Sequence, residues 1–527
     1  MDPKGTPTPP EEQRAVARAA GLISLATLLS RILGLVREMV IGMVFGAGRA
    51  ADAFVVAFRI PNLLREMLAE GAMSAAFVPV FTEHATRRSR EETLELLQAT
   101  FTVLLLILCV VTLLGVWAAP WLVPLLAPGF VEIPEKFALT VHLTRIMFPF
   151  LLFMGLAALS MGVLNALRSF SAPALAPAVL NLCVIAAALW LAPRLEEPIV
   201  GLALGQLIGG AMQFAIQLPS LRRNGMLYRL RWALPPGLKR VGRLFFPFAL
   251  GLSVRQVNLV VSNILASLLP EGSPAYLYYG MRLIHFPLGV FGVALGTAIL
   301  PVLSAQAARQ DGEALRDTFS YGLRLLLTLT LPAMVALMTL SVPMVSLIYQ
   351  RGAFDAAATL GTAQAVFYYA VGLWAFAGVS VAVRGFYAMQ EVWTPVKVAV
   401  VAVGVNAAAS LLLMGPLAHG GLALGNAAAS AVHFLLLLWF LRRQWGRIHG
   451  RRLVIATLRV AVACVPLALL GGWASTWPLW LEPGRGLEKL LGFASVAGAG
   501  ILAYGALLHA MGSPELREIR NLLRRRA

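Results

Sequence analysis

Long apolar stretches recur along almost the whole chain and constrain its fold more than any other feature. Of the 527 residues, 59% are hydrophobic and only 13% are charged. A transmembrane helix needs roughly 20 consecutive apolar residues, and many stretches reach that length, whereas a membrane barrel uses short alternating strands. The sequence therefore predicts an all-α polytopic membrane protein with about fourteen transmembrane helices. The predicted spans are 20–46, 51–83, 94–118, 137–166, 173–192, 199–218, 244–268, 276–304, 317–340, 356–389, 394–414, 419–440, 456–476 and 490–511.

The distribution of basic residues predicts the orientation of these spans. Of the 43 lysines and arginines, 28 fall in the N-terminal tail, in every second connection or, as Lys397 and Arg459 do, at a span end beside such a connection; 6 fall in the alternate connections and 9 elsewhere within spans. Loops rich in lysine and arginine stay in the cytoplasm. We therefore expect the N-terminal tail 1–19 and the basic C-terminus 512–527 to be cytoplasmic. This topology accounts for the formal net charge of +18 without a nucleic-acid partner.

Part of the sequence repeats after 222 residues. Residues 75–82 read AAFVPVFT and residues 297–304 read TAILPVLS, and the same offset of 222 aligns Pro173 with Pro395. A repeat of this length is too long for a solenoid unit and indicates two similar six-helix halves. Because six is even, both halves enter the membrane in the same direction. This predicts pseudo-two-fold symmetry along the membrane normal and a central cavity.

The repeat also sets the predicted domain boundaries. We expect an N-lobe at 20–218, a basic cytoplasmic linker at 219–243 and a C-lobe at 244–440. The last two helices, within 456–511, lie outside the repeat.

Apart from Lys397 and Arg459 at span ends, nine basic residues fall within the predicted spans, and all nine are arginine. At a helix centre each costs about 2.5–3.5 kcal/mol, so we do not expect all of them to face lipid. Arg145, Arg324 and Arg384 lie near span ends or outside any cluster, and we expect them to snorkel or to form structural ion pairs. The other six are Arg31, Arg37, Arg59, Arg65, Arg255 and Arg282.

Four of these arginines cluster on the first two predicted helices, together with acidic residues at helical spacing. Glu38 lies seven residues after Arg31, while Asp52 and Glu66 lie seven residues on either side of Arg59. Such spacing places each acid on the same helix face as an arginine. One interpretation is that buried ion pairs hold the lobe together. The other is that surplus guanidinium lines a cavity and binds phosphate in bidentate fashion.

Several motifs resemble one family of membrane transporters. The chain reads SRILGLVRE at 30–38, FGAG at 45–48, PNLLR at 61–65, AEGA at 69–72 and GVALGT at 292–297. In this order they are similar to motifs of the MurJ (MviN) family of lipid II flippases, in the multidrug/oligosaccharidyl-lipid/polysaccharide exporter superfamily. The resemblance places these residues on functionally important charged positions of the family: Arg31, Arg37, Asp52, Arg65 and Arg282.

The resemblance implies a transporter of the bacterial inner membrane and not an enzyme. Its substrate partner is lipid II, the undecaprenyl-pyrophosphate-linked peptidoglycan precursor, which moves from the cytoplasmic to the outer leaflet. The last two helices are implied to form a groove for the lipid tail. We expect a monomer without cofactor or metal that works by alternating access, driven by the membrane potential or by a monovalent cation.

The residue assignments combine the arginine pattern with this resemblance. Where relatives can carry acids beside Arg282, this chain has Met281 and His285, which leaves that end of the cavity more positive. We predict that substrate is bound by Arg31, Arg37, Arg59, Arg65 and Arg282. The predicted charged partners of the cavity or gate are Glu38, Asp52, Glu66, Glu70 and His285.

Other functions stay open at this point. A relative in the same superfamily could export another lipid-linked oligosaccharide, or drugs, although surplus cavity arginine disfavours cationic drugs. A membrane enzyme acting on lipid phosphates is a third possibility, but the sequence carries no paired-aspartate cluster, HExxH motif or Walker-type glycine loop.

Overall fold

Helices make up the regular structure of the protein. The computed structural model describes residues 9–67, 73–446 and 449–517, and within these ranges it contains no β-strand. This confirms the prediction of an all-helical protein.

The chain forms two compact units. Unit 1 comprises the described residues of Met1–Phe45 and Ala53–Gln256, and unit 2 those of Gly46–Asp52 and Val257–Ala527. The first ten helices are α1 (Pro9–Phe45), α2 (Arg49–Arg65), α3 (Ser74–Arg87), α4 (Arg90–Leu126), α5 (Pro134–Met147), α6 (Phe150–Ala166), α7 (Ser171–Ala186), α8 (Pro198–Ala215), α9 (Leu218–Arg223) and α10 (Pro236–Ser267). The next eleven are α11 (Ser273–Pro287), α12 (Ala294–Ala308), α13 (Gly312–Thr339), α14 (Ser341–Tyr349), α15 (Ala356–Val371), α16 (Leu373–Ala388), α17 (Trp393–Leu417), α18 (His419–Trp445), α19 (Gly450–Ala463), α20 (Val465–Ser475) and α21 (Gly486–Ala510).

Ten helical segments among the described residues are long and apolar enough to cross a membrane, and the bent pair α15 and α16, with 45° between its helices, makes an eleventh. The ten are α4, α5–α6, α7 with its extension to Arg194, α8–α9, α11–α12, α13, α17, α18, α19–α20 and α21. The protein is therefore a multi-pass membrane protein. Counted by length and hydropathy among the described residues, the spans are fewer than the predicted number of about fourteen. The remaining predicted spans 20–46, 51–83 and 244–268 fall on α1, α2–α3 and α10, which are not among the ten.

Aromatic and leucine side chains of α3, α4 and α6 form the core of unit 1. Phe77, Phe81, Leu97 and Leu159 are each at most 1% exposed. Helix association within a membrane depends on close packing, which small residues permit. Gly115 of α4 shows this, because an added Cβ would lie 1.9 Å from the ring of Phe148.

The predicted linker 219–243 is part of unit 1 and packs against its helices. The ring of Tyr228 stacks on Phe101 with 4.3 Å between centroids, and the Tyr228 and Ser160 hydroxyl oxygens share a 2.7 Å hydrogen bond. Burial raises the pKa of the Tyr228 phenol above its usual value. The linker is thus packed against the helices through an aromatic side chain.

Replacing Tyr228 tests this anchor. We expect Tyr228→Ala to lower the free energy of unfolding by about 3 kcal/mol, because the ring contacts are lost. We expect Tyr228→Phe to lower it by about 1 kcal/mol, because only the hydrogen bond to Ser160 is lost. Denaturant unfolding in detergent measures both. Leu230→Ala, at a residue 66% exposed in the same segment, is the control; equal effects of Tyr228→Ala and Leu230→Ala would show that the anchor is absent.

The core of unit 2 is built from α12, α13, α16 and α18. Leu303, Phe319, Phe386, Leu437 and Leu441 are all fully buried in this cluster. These four helices, which are not all consecutive in the chain, therefore share one hydrophobic core.

The internal repeat also appears in the positions of helix ends. Helix α6 ends at Ala166 and α16 at Ala388, while α7 begins at Ser171 and α17 at Trp393. Both pairs of positions are 222 residues apart. The 222-residue offset found in the sequence therefore also separates these helix ends and helix starts.

Candidate substrate site

Arg37 of α1 is held by two partners within unit 1. Its Nη2 forms an ion pair of 2.5 Å with Glu38 Oε1, and its Nη1 donates to Asn181 Oδ1 at 3.0 Å. Asn181 Nδ2 in turn donates to the carbonyl oxygen of Ser30 at 3.1 Å. Glu38 is only 4% exposed. These bonds tie α1 to α7, so Arg37 has a structural role whatever else it binds.

Arg31 lies in a different environment on the same helix. Its side chain is exposed, and among the described residues it makes no ion pair and no side-chain hydrogen bond. Glu38, which shares its helix face by spacing, is paired with Arg37 instead. Arg31 therefore keeps its full hydrogen-bonding capacity for a ligand.

A network of polar side chains runs along the end of α2. Arg65 Nε donates to Asn62 Oδ1, and Asn62 Nδ2 donates to Glu66 Oε1, both at 3.0 Å. Glu66 Oε2 accepts a third hydrogen bond of 3.0 Å from Gln256 Nε2 of α10. Arg59 and Arg65 are partly buried and both make further interactions within the protein. Glu66 is thus shared between α2 and α10.

Asp52 caps a helix of unit 2. Its carboxylate is fully buried and accepts hydrogen bonds from the backbone N–H of Gly272 at 2.8 Å and of Ala275 at 3.0 Å. A carboxylate satisfies the open N–H groups at a helix start and interacts well with the helix dipole. Gly272 has a φ of +89°, and an added Cβ would lie 2.7 Å from the carbonyl oxygen of Ala47. The geometry gives Asp52 a structural role that its spacing from Arg59 did not predict.

Arg282 of α11 lies exposed beside an aromatic ring. Its Nη2 donates to Tyr278 Oη at 3.0 Å, and its guanidinium carbon lies 4.9 Å from the ring centroid. His285, one turn further on, is also exposed, and both residues make further interactions within the protein. Glu70 lies outside the described residues, as does the side chain of Arg255.

The three arginines predicted to be structural differ in their surroundings. Arg324 Nε lies 3.3 Å from Glu515 Oε1, and Glu515 is 5% exposed, which confirms an ion pair for this residue. The guanidinium of Arg384 lies 6.0 Å from the ring centroid of Tyr387. Arg145 is exposed on α5.

Several polar residues of these sites were not identified from the sequence. Asn62 and Asn181 are neutral and carry no charge pattern, so only the packing of helices reveals them. Tyr278 had a signal, because it lies four residues before Arg282 and therefore on the same helix face. Among the described residues, no group of three or more His, Cys, Asp or Glu side chains is placed to hold a metal ion.

Comparison with known proteins identifies the class of transporter. Residues 41–481 match the family model described as lipid II flippase MurJ. The chain belongs to this family. It is 39% identical over 432 residues to the lipid II flippase MurJ of Burkholderia cenocepacia, covering 81% of this chain and 84% of the relative. It is 36% identical over 505 residues to the probable lipid II flippase MurJ of Vibrio cholerae, covering 93% and 95%.

Solved structures agree with the MurJ assignment. A lipid II flippase MurJ in an inward closed conformation matches with a TM-score of 0.77 at 26% identity, covering 92% of this chain and 97% of that one. An inward-facing MATE family multidrug transporter of the MOP superfamily has a TM-score of 0.68 at 13% identity, covering 82% and 99%, and shares the fold alone. The chain is thus a membrane transporter of the lipid II flippase family rather than an enzyme.

Proposed function

We propose that this chain moves lipid II from the cytoplasmic to the outer leaflet of the bacterial inner membrane, with arginines binding the pyrophosphate. The observation that carries the proposal is the family match over residues 41–481. The relatives from Burkholderia cenocepacia and Vibrio cholerae, which are described as a lipid II flippase and a probable one, support the choice of substrate.

The chemistry of the arginines supports pyrophosphate as the bound group. A guanidinium presents a planar fork of N–H donors that matches phosphate oxygens, and it keeps its charge at any pH that a cell meets. Arg31 is the residue we expect to contact the pyrophosphate most directly, because it is exposed and makes no ion pair among the described residues. Arg37, Arg59, Arg65 and Arg282 add positive charge, and Arg37 also positions α1.

The proposed topology follows the distribution of charge. Fourteen helices form two six-helix lobes at 20–218 and 244–440, with the two last helices within 456–511 forming a groove for the lipid tail. Both termini face the cytoplasm because basic residues concentrate on that side. The matching helix ends 222 residues apart support two equivalent lobes.

Transport proceeds by alternating access, in which the substrate site opens first to the cytoplasm and then to the outside. The membrane potential, negative inside, favours outward movement of an anion by about 2.3 kcal/mol per charge per 100 mV. A polyanionic head group therefore needs no coupling ion. Flipping in proteoliposomes at zero potential checks this: an unchanged rate without ion gradients contradicts it, and dependence on a monovalent cation gradient identifies ion coupling instead.

A depletion-rescue experiment tests the function and the role of Arg31 together. We expect the wild-type chain to restore growth of bacteria depleted of their own lipid II flippase. We expect Arg31→Ala to lose rescue while inserting into the membrane at normal levels, because substrate affinity falls without loss of an ion pair. Arg145→Ala, at an exposed arginine of α5, is the matched control and should rescue. Robust growth with Arg31→Ala would remove Arg31 from the substrate site.

A further inference from the structure

A cavity of about 610 Å³ lies within unit 2, and its size falls in the range of roughly 300–1,000 Å³ that small ligands occupy. One wall is the end of α14 and the start of α15. The other is the turn that precedes α21. Its polar lining includes Gln350, Arg351, Asp355 and Lys489.

Lys489 brings a buried positive charge to this cavity. The residue is 2% exposed. Its ammonium donates to Ser346 Oγ at 2.9 Å, to Gln350 Oε1 at 3.0 Å and to the carbonyl oxygen of Trp480 at 3.2 Å. All three acceptors are neutral, so they satisfy the N–H groups without compensating the charge. A buried charge without a counter-charge is costly, which calls for an explanation.

The nearby carboxylates are engaged elsewhere. Glu482 and Glu488 both form ion pairs with Arg485 in the turn. Asp355 accepts a 2.8 Å hydrogen bond from the backbone N–H of Ala358 and caps α15. Among the described residues, no carboxylate forms a salt bridge with Lys489.

Arg351 is a second cation in the lining. Its Nη1 donates to the carbonyl oxygen of Ile348 and its Nη2 to that of Leu347, both at 2.8 Å. These are again neutral acceptors, at the end of α14. Arg351 is exposed, whereas Lys489 is buried, so positive charge is presented both at the surface and inside the cavity.

The surroundings place the cavity at the depth of lipid head groups. The rings of Trp473 and Trp477 have centroids 5.0 Å apart, and Trp477 stacks on Trp480 at 6.0 Å. Tryptophan is enriched at the interface between membrane and water. On the first turns of α21, Leu487 and Leu491 are 70% and 61% exposed, as lipid-facing side chains are. Lipid phosphates lie at this level of the membrane.

We propose that this cavity binds a phosphate-bearing anion, with Lys489 and Arg351 as its counter-charges. A phosphate oxygen would replace a neutral acceptor of each cation, which exchanges a hydrogen bond to a neutral group for a stronger one to an anion. It reaches the cavity either as the head group of an anionic lipid or as a free ion. The site would be additional to the arginines proposed for the transported pyrophosphate and does not depend on what the protein transports.

Hydrogen–deuterium exchange of the purified full chain in detergent tests the site locally. The probes are dihexanoyl phosphatidylglycerol, inorganic phosphate and, as a control without phosphate, dihexanoylglycerol. We expect the first probe to slow exchange in peptides covering 346–356 and 478–490. In Lys489→Met we expect about tenfold or greater loss of affinity, the value of one charge-assisted hydrogen bond. Arg442→Gln, at an exposed arginine of α18 outside the cavity lining, should bind normally.

The outcomes show whether the site exists and, if it does, whether its phosphate belongs to a lipid or is a free ion. Protection by both phosphate-bearing probes identifies phosphate itself as the ligand, and protection by the lipid alone identifies a lipid head group. Absence of protection by either, or equal protection in Lys489→Met, overturns the proposal. If Lys489→Met fails to fold, Arg351→Gln must show the loss of affinity. Arg31→Gln should leave this protection unchanged, so failure of the proposed transport function and failure of this site are distinguishable.

Discussion

Arg37→Ala is expected to lower the free energy of unfolding by about 3 kcal/mol, because it breaks a partly buried ion pair and removes the Arg37 guanidinium from the buried Glu38 carboxylate. The same change removes the hydrogen bond to Asn181 that ties α1 to α7. Thermal unfolding of the purified protein in detergent measures the effect. Arg145→Ala, where no such pair is present among the described residues, should unfold like the wild type.

A double variant separates stability from substrate binding at this position. Arg37→Ala combined with Glu38→Gln removes both charges, so we expect it to recover much of the lost stability. It should still bind lipid II more weakly, because the guanidinium is absent. A single Arg37→Ala variant with wild-type stability would contradict the structural role of the pair.

Asp52→Ala is expected to lower the free energy of unfolding by about 2–4 kcal/mol, because two buried backbone N–H groups at the start of α11 lose their acceptor. Asp52→Asn keeps one side-chain oxygen as acceptor and should cost less. The free energy of unfolding of both variants is measured in detergent and compared with their growth rescue. We expect rescue to follow stability. An Asp52→Ala variant that is fully stable but does not rescue would show a direct role in transport.

The membrane class and the 222-residue repeat followed from the sequence alone. Hydropathy reports how long and how apolar a segment is, and these properties decide whether it crosses a membrane. The 222-residue offset, found in short motifs, reappears in the ends of α6 and α16. Among the described residues, α1 is not one of the ten segments selected by length and hydropathy, although it carries Arg31 and Arg37.

Side-chain partners followed from the sequence much less well. Seven-residue spacing put Glu38 on the face of Arg31, yet the acid pairs with its neighbour Arg37, since long side chains can reach around a helix. Asp52 was aligned with Arg59 on the same basis but caps α11, a contact that depends on chain packing 220 residues away.

Buried cations outside the arginine set were also missed. Lys489 counted only as one of the few basic residues in the alternate connections, and nothing in its neighbours indicates burial. Its position depends on the turn before α21 packing against α14, which brings Trp480 and Ser346 to its ammonium. Tertiary contacts of this kind leave no periodic trace in a sequence.

Binding of lipid II to the purified protein tests the central claim most directly. Native mass spectrometry would compare the wild type with Arg31→Gln, Arg65→Gln and Arg282→Gln, and with Arg145→Gln as the matched control. We predict that the wild type and the control bind lipid II, and that Arg31→Gln binds at least about tenfold more weakly, since a hydrogen bond to a charged group contributes about 1.5–3 kcal/mol. Equal lipid II affinity for the wild type and all three site variants would contradict the assignment of these arginines to the pyrophosphate.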